Sequence, residues 1–85
     1  MKSFDYVIKD AVGMHARPAA VLAKMAKESM ADVIITVNGR SADASKLMQV
    51  MAMGIKQGTN INVTVEGDGE EQTAERLEVF FKENL

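Results

Sequence analysis

Apolar side chains recur at every second residue in three separate stretches of the chain. Phe4, Tyr6 and Ile8 interleave with Asp5, Val7 and Lys9, Val33, Ile35 and Val37 repeat the spacing, and Ile61, Val63 and Val65 repeat it with Asn62 and Thr64 between them. A period of two is the mark of a strand with one buried face, so three strands are predicted. Asn38-Gly39 follows Val37 directly. That dipeptide accepts the positive φ angles of a two-residue hairpin turn, and it predicts that Arg40 to Asp43 returns as a fourth strand. The sheet is then at least partly antiparallel.

The period changes between the strands. Ala19, Leu22, Ala23 and Ala26 fall at i, i+3, i+4 and i+7, the stripe of a helix with one face against a core. Ala74, Leu77, Phe81 and Leu85 form a similar stripe behind an acidic first turn at Glu70 and Glu71, which suits the positive end of a helix dipole. Leu47 to Met53 reads as a short middle helix stopped by Gly54, with a second breaker at Gly58. The predicted order is βαββαβα, an α+β arrangement in two layers with helices over one face of a four-stranded sheet and the other face largely solvated. No linker, repeat or low-complexity tract interrupts it.

Composition narrows the class. With 85 residues, 47% of them hydrophobic, residues 1–85 are expected to form one domain around one core. No cysteine is present, so neither a disulfide framework nor a thiolate metal site is available, and a reducing cytoplasm suits the chain. Lys2 to Asp10 alternates charged and apolar residues, unlike a signal peptide or the roughly 20 apolar residues of a membrane helix, so no membrane insertion is expected. A net charge of -2 and few aromatic residues argue against nucleic acid as a partner.

The unusual chemistry is concentrated in Gly13-Met14-His15-Ala16-Arg17-Pro18-Ala19-Ala20, which joins the first strand to the first helix and holds the one histidine of the chain. Pro18 belongs in a first helical turn, where its missing N–H has no intrahelical partner, so the helix should begin at about His15 or Ala16. Free amides at that end, including those of Ala16 and Arg17, attract an anion such as a phosphoryl group. The same positive environment favours the ring form of His15 that keeps a lone pair for nucleophilic attack. Arg17 adds planar donors that can pair with phosphoryl oxygens, and Gly13 permits the tight turn that presents the ring. The residues alone leave another reading open, in which His15 is a capping histidine and Arg17 a solvated charge.

The string GMHARPAA resembles the active-site signature of the HPr family of phosphocarriers, in which glycine, an apolar residue, histidine, alanine or threonine, arginine and proline follow in that order. The resemblance extends over the whole chain, through the Asn38-Gly39 hairpin, the segment LMQVMAMGIKQG and the last strand and helix. It implies an open-faced two-layer sandwich with a wholly antiparallel sheet. It also implies a carrier, not an enzyme, of the phosphoenolpyruvate-dependent sugar phosphotransferase system. His15 would accept a phosphoryl group through Nδ1 from phosphorylated enzyme I and donate it to IIA domains of sugar permeases, with Arg17 stabilising the group. No cofactor or metal is implied, and a carrier that docks alternately with two partners is expected to be a monomer.

Two surfaces are candidates for docking. Arg17, Ala20, Lys24 and Lys27 lie at i, i+3, i+7 and i+10, a basic stripe running down the first helix from His15. Leu47, Met48, Val50, Met51 and Met53 give the short middle helix more apolar surface than one face can bury. Leu47, Met48 and Met51 are the candidate apolar patch, with Val50 and Ile55 assigned to the core. A solvated helix face and a filled core are the plainer readings of the two.

The chain departs from the family twice. Many members carry a regulatory serine directly after a lysine at the start of the middle helix, the target of an HPr kinase. Here Ser45 precedes Lys46, so a lysine stands where the serine would be. Ser45 is read either as an N-cap of the middle helix, the default for a serine before an apolar run, or as the kinase site displaced by one place. Val12 stands where the family often has a small polar residue that helps cap the first helix. Outside the family, a ligand-binding module of ferredoxin-like layout or a purely structural domain remains the alternative, and each makes His15 incidental.

Overall fold

The computed structural model describes Met1–Leu85. Its elements are β1 (Lys2–Val7), α1 (Ala16–Glu28), β2 (Ala31–Val37), β3 (Arg40–Asp43), α2 (Leu47–Ala52), β4 (Asn60–Gly67) and α3 (Glu70–Asn84), the predicted βαββαβα. The strands lie in the order β1-β4-β2-β3 and every neighbouring pair is antiparallel. β4 is therefore flanked on both sides, which matches the complete burial of Ile61, Val63 and Val65.

Register explains why the alternating residues end on one face. Phe4 pairs with Val63 and Tyr6 with Ile61 across β1 and β4, while Val33 pairs with Val65 and Ile35 with Val63 across β2 and β4. Directly opposed residues point to the same side of a sheet, so the three apolar sets merge into one surface. Asn38 and Gly39 have φ of 50° and 79°, the positive values a tight hairpin turn demands. On the other face Asn62 Nδ2 donates to Ser3 Oγ at 3.0 Å and to Asp5 Oδ1 at 2.9 Å, a polar surface with half-buried Ile34, Thr36 and Thr64.

The helices pack on the apolar face, α1 against β2 and α3 against β1 and β4, with α2 beside β3 and α1. α1 buries Ala19, Leu22, Ala23 and Ala26, the predicted stripe, together with Pro18. On α3 the stripe is wider than expected. Leu77, Phe81 and the capping residue Leu85 are buried and Ala74 half-buried, but Phe80 is buried as well. The Phe81 ring centre lies 5.8 Å from Phe4, 5.7 Å from Tyr6 and 5.7 Å from Phe80, so one side chain ties α3 to the edge strand. Burial of a ring of this size contributes about 1.5–3 kcal/mol before its edge-to-face contacts are counted.

α2 ends at Ala52, one residue before the predicted Met53, which forms its C-cap. The expected N-cap role of Ser45 is corrected by the structure. Lys46 occupies the N-cap, and Lys46 O accepts from Val50 N–H at 3.1 Å. Ser45 instead turns back to Asp43, whose Oδ1 accepts from the Ser45 hydroxyl at 2.7 Å and from its N–H at 2.9 Å. A hydroxyl beside a carboxylate makes a charge-assisted hydrogen bond, which outcompetes a bond to a helix amide. The bond from the Ser45 hydroxyl, then that from its N–H, holds the Asp43 carboxyl below its ordinary range.

Candidate functional site

The loop carrying His15 is fixed at several points before the ring is reached. Lys9 and Asp10 both donate their N–H groups to Leu85 O, and Gln57 Nε2 donates to Lys9 O at 3.1 Å. Gly13 turns with φ of 78° and donates to Asp10 O at 3.0 Å. Met14 buries its side chain in the core and donates its N–H to Ile55 O at 3.0 Å. A chain anchored at Met14 leaves His15 little choice of direction.

His15 is the N-cap of α1, with extended backbone, and Ala16 is the first helical residue, where the sequence placed the start. The His15 ring is half-exposed and no side chain caps the helix. Val12, at the position where a polar capping residue was missed, is exposed, and its N–H donates to Asp10 Oδ1 at 3.2 Å. The first intrahelical bond of α1 runs from Ala19 N–H to His15 O at 3.0 Å. The N–H groups of Ala16 and Arg17 consequently have no acceptor within the protein, and Pro18 has no N–H to satisfy. Two free donors and the positive end of a helix of 13 residues lie next to a half-exposed imidazole.

Arg17 is exposed and forms no ion pair. It shares an open hollow with His15, Pro18, Val21, Phe80 and Asn84. Val21, Phe80 and Asn84 were not among the residues singled out by sequence. Phe80 could have been found as the i+3 neighbour of Leu77, whereas nothing local marks Asn84, which reaches the hollow only through the packing of α3 on α1.

The candidate docking residues are placed as follows. Arg17, Ala20, Lys24 and Lys27 are all exposed along one side of α1, and neither lysine is in an ion pair. On α2, Met48 is 77% exposed and Met51 36%, while Leu47 is half-buried and packs against the core. Val50 and Ile55 are buried, as assigned. The apolar patch is thus chiefly the two methionines, edged by Leu47. No group of three or more potential ligand side chains is arranged to hold a metal ion, and no helix is long and apolar enough to cross a membrane.

This geometry, an imidazole at a helix N-terminus with free amides and an unpaired guanidinium beside it, is matched by what the chain resembles. The family model described as PTS HPr component phosphorylation site matches residues 2–83. The phosphocarrier protein HPr of Mycoplasma capricolum is 39% identical over 91% of this chain and 86% of its own length. That of Haemophilus influenzae is 35% identical over 91% of each. A solved Mycoplasma histidine-containing phosphocarrier protein superposes with a TM-score of 0.90 at 37% identity, covering 93% of this chain and 90% of its own. The chain therefore belongs to the HPr family and is a phosphocarrier of the phosphotransferase system.

Proposed function

We propose that His15 is the residue that carries the phosphoryl group, received from phosphorylated enzyme I and passed to IIA domains of sugar permeases. The observation that supports this most directly is the pair of unengaged N–H groups at Ala16 and Arg17 beside the half-exposed His15 ring. In the proposed step a ring nitrogen, Nδ1 by resemblance to the family, attacks phosphorus with its lone pair. The N–P bond forms as the bond from phosphorus to the donor breaks, and that bond's electron pair leaves with the donor. The other ring nitrogen keeps its proton. Charge on the transferring oxygens is met by the Ala16 and Arg17 amides and by the Arg17 guanidinium, donors already in place before the group arrives.

The protein is thereby a carrier rather than an enzyme, since it is itself modified and must be discharged before it can act again. Its proposed setting is the cytoplasm, where a monomer would meet both partners in turn. The basic stripe of Arg17, Lys24 and Lys27 around Ala20 suits acidic partner surfaces, and Leu47, Met48 and Met51 supply an adaptable apolar contact. Incubation with enzyme I and labelled phosphoenolpyruvate, followed by mapping of the label, tests the assignment. An acid-labile, base-stable label on His15 is expected. Label on Ser45 or another hydroxyl, with His15 unmodified, overturns it.

A further inference from the structure

The chain holds seven methionines and no cysteine, so an oxidant that attacks sulfur meets thioethers alone. The fold sorts them by access. Met14 is buried, Met25 and Met53 are half-buried, and Met1, Met30, Met48 and Met51 are exposed. Met48 and Met51 stand three residues apart on one side of α2, the helix that packs beside α1. They are also the main part of the apolar patch. Met30 is as open as Met48, at 80% against 77% exposed, but it follows the end of α1 remote from His15, about 20 Å along the helix.

We propose that Met48 and Met51 form a reversible oxidation site, at which a peroxide turns the apolar docking contact polar and weakens association with the phosphotransferase partners. The proposal deepens the function proposed above and rests on its assignment of these two side chains to the partner contact. In the step, a lone pair of the thioether sulfur attacks one oxygen of hydrogen peroxide. The S–O bond forms as the O–O bond breaks, and the departing hydroxide takes the proton from the transferred oxygen and leaves as water. Sulfur is oxidised and the peroxide reduced. The sulfoxide oxygen is a strong acceptor, and in an apolar contact it loses its water without gaining a partner. His15, its neighbouring amides and Arg17 are unaltered by this change, so docking should suffer and the transfer step should not. Leucine would fill nearly the same volume and resist peroxide, which places the sensitivity of the contact in its sulfur atoms.

Single-turnover transfer from phosphorylated enzyme I, before and after graded treatment with hydrogen peroxide, tests this, with sulfoxides located by peptide mapping. Met48 and Met51 should oxidise ahead of Met14, Met25 and Met53. As they do, the half-saturating concentration is expected to rise on the order of tenfold, the scale of burying one polar group unpaired, with the saturating rate unchanged. Methionine sulfoxide reductases should reverse the rise. Peroxide should not shift half-saturation in the double variant Met48→Leu and Met51→Leu from that variant's own starting value, whereas in Met30→Leu the rise should persist in full. Slow oxidation of both methionines, a rise as large in the double leucine variant, or a change confined to the saturating rate overturns the proposal. The double variant Met48→Gln and Met51→Gln, polar from the outset, tests the docking assignment separately. Raised half-saturation there, with none on oxidation of the parent, overturns the oxidation site alone, and no rise in either overturns the docking assignment as well.

Discussion

Gly13 lies so close to Ile55 that a Cβ added to it would come within 2.6 Å of the Ile55 carbonyl oxygen. The next residue, Met14, donates its N–H to that same oxygen at 3.0 Å. The loop leading to His15 and the turn after α2 are thereby held as one unit, and the contact is backbone on both sides. Gly13→Ala places a methyl group where neither strand of chain can yield cheaply, at a φ of 78° that alanine rarely adopts. We expect it to cost about 1–3 kcal/mol in urea unfolding and to slow labelling of His15 as the ring is displaced. Unchanged stability and rate would show that the loop repacks freely.

Arg17→Ala should separate chemistry from folding. The side chain is exposed and unpaired, so its removal should leave stability within about 0.5 kcal/mol. The saturating transfer rate should fall on the order of a hundredfold, the scale of losing one preorganised donor to developing charge. Parallel unfolding curves with equal transfer rates would remove Arg17 from the site.

Lys24→Glu and Lys27→Glu act at a distance from His15, down the exposed side of α1. Charge reversal there should slow association with acidic partners and flatten its dependence on salt, while dissociation changes little. Stopped-flow measurement at low and high salt distinguishes this from an ordinary solvated face, for which association would be unaltered.

What the sequence made legible follows from which interactions are local. The alternation in Phe4–Ile8, Val33–Val37 and Ile61–Val65 reports burial of one strand face directly, and Asn38-Gly39 fixes its hairpin by backbone preference alone, so the element order could be read. Pro18 located the start of α1 for the same reason. Ser45 was misassigned because a serine before an apolar run is ambiguous until its competing acceptor is known, and Asp43 supplies that acceptor two residues earlier. The contribution of α3 to the His15 hollow was illegible, since Phe80 and Asn84 reach it only through helix packing.

The Asp43–Ser45 pair carries a pH signature. Asp43 is held below its ordinary value of 3.8, first by the Ser45 hydroxyl and then by the Ser45 N–H. A carboxyl depressed by folding adds stability above its unfolded pKa and loses it as pH falls through the folded value. Ser45→Ala should therefore lower stability by roughly 0.5–1.5 kcal/mol at neutral pH. The gap to the parent should begin to narrow as pH falls below about 4, the ordinary carboxylate range, and go on narrowing as pH passes down through the depressed folded value. Denaturant melts across pH 3–7 check this, and a gap that stays constant with pH would assign the loss to something other than Asp43.

From the same geometry we predict that the protein is a poor substrate for a kinase that expects serine after lysine. Lys46 holds the N-cap, and Ser45 lies one residue outside α2 with its hydroxyl donated to Asp43 at 2.7 Å. Phosphorylation of Ser45 would break that bond and set a group of about -2 charge against the Asp43 carboxylate, a repulsion the modified protein could relieve only by moving the turn. Exchanging the pair through Ser45→Lys and Lys46→Ser places the hydroxyl at the N-cap, facing helix amides instead of a carboxylate. The exchanged protein should be labelled on Ser by an HPr kinase several-fold faster than the parent, with labelling of His15 by enzyme I unaffected, since Lys46 takes no part in the hollow around His15. Efficient labelling of Ser45 in the parent would mean that the turn from Asp43 to Lys46 opens at little cost, and that the hydrogen bond to Asp43 does not protect the hydroxyl.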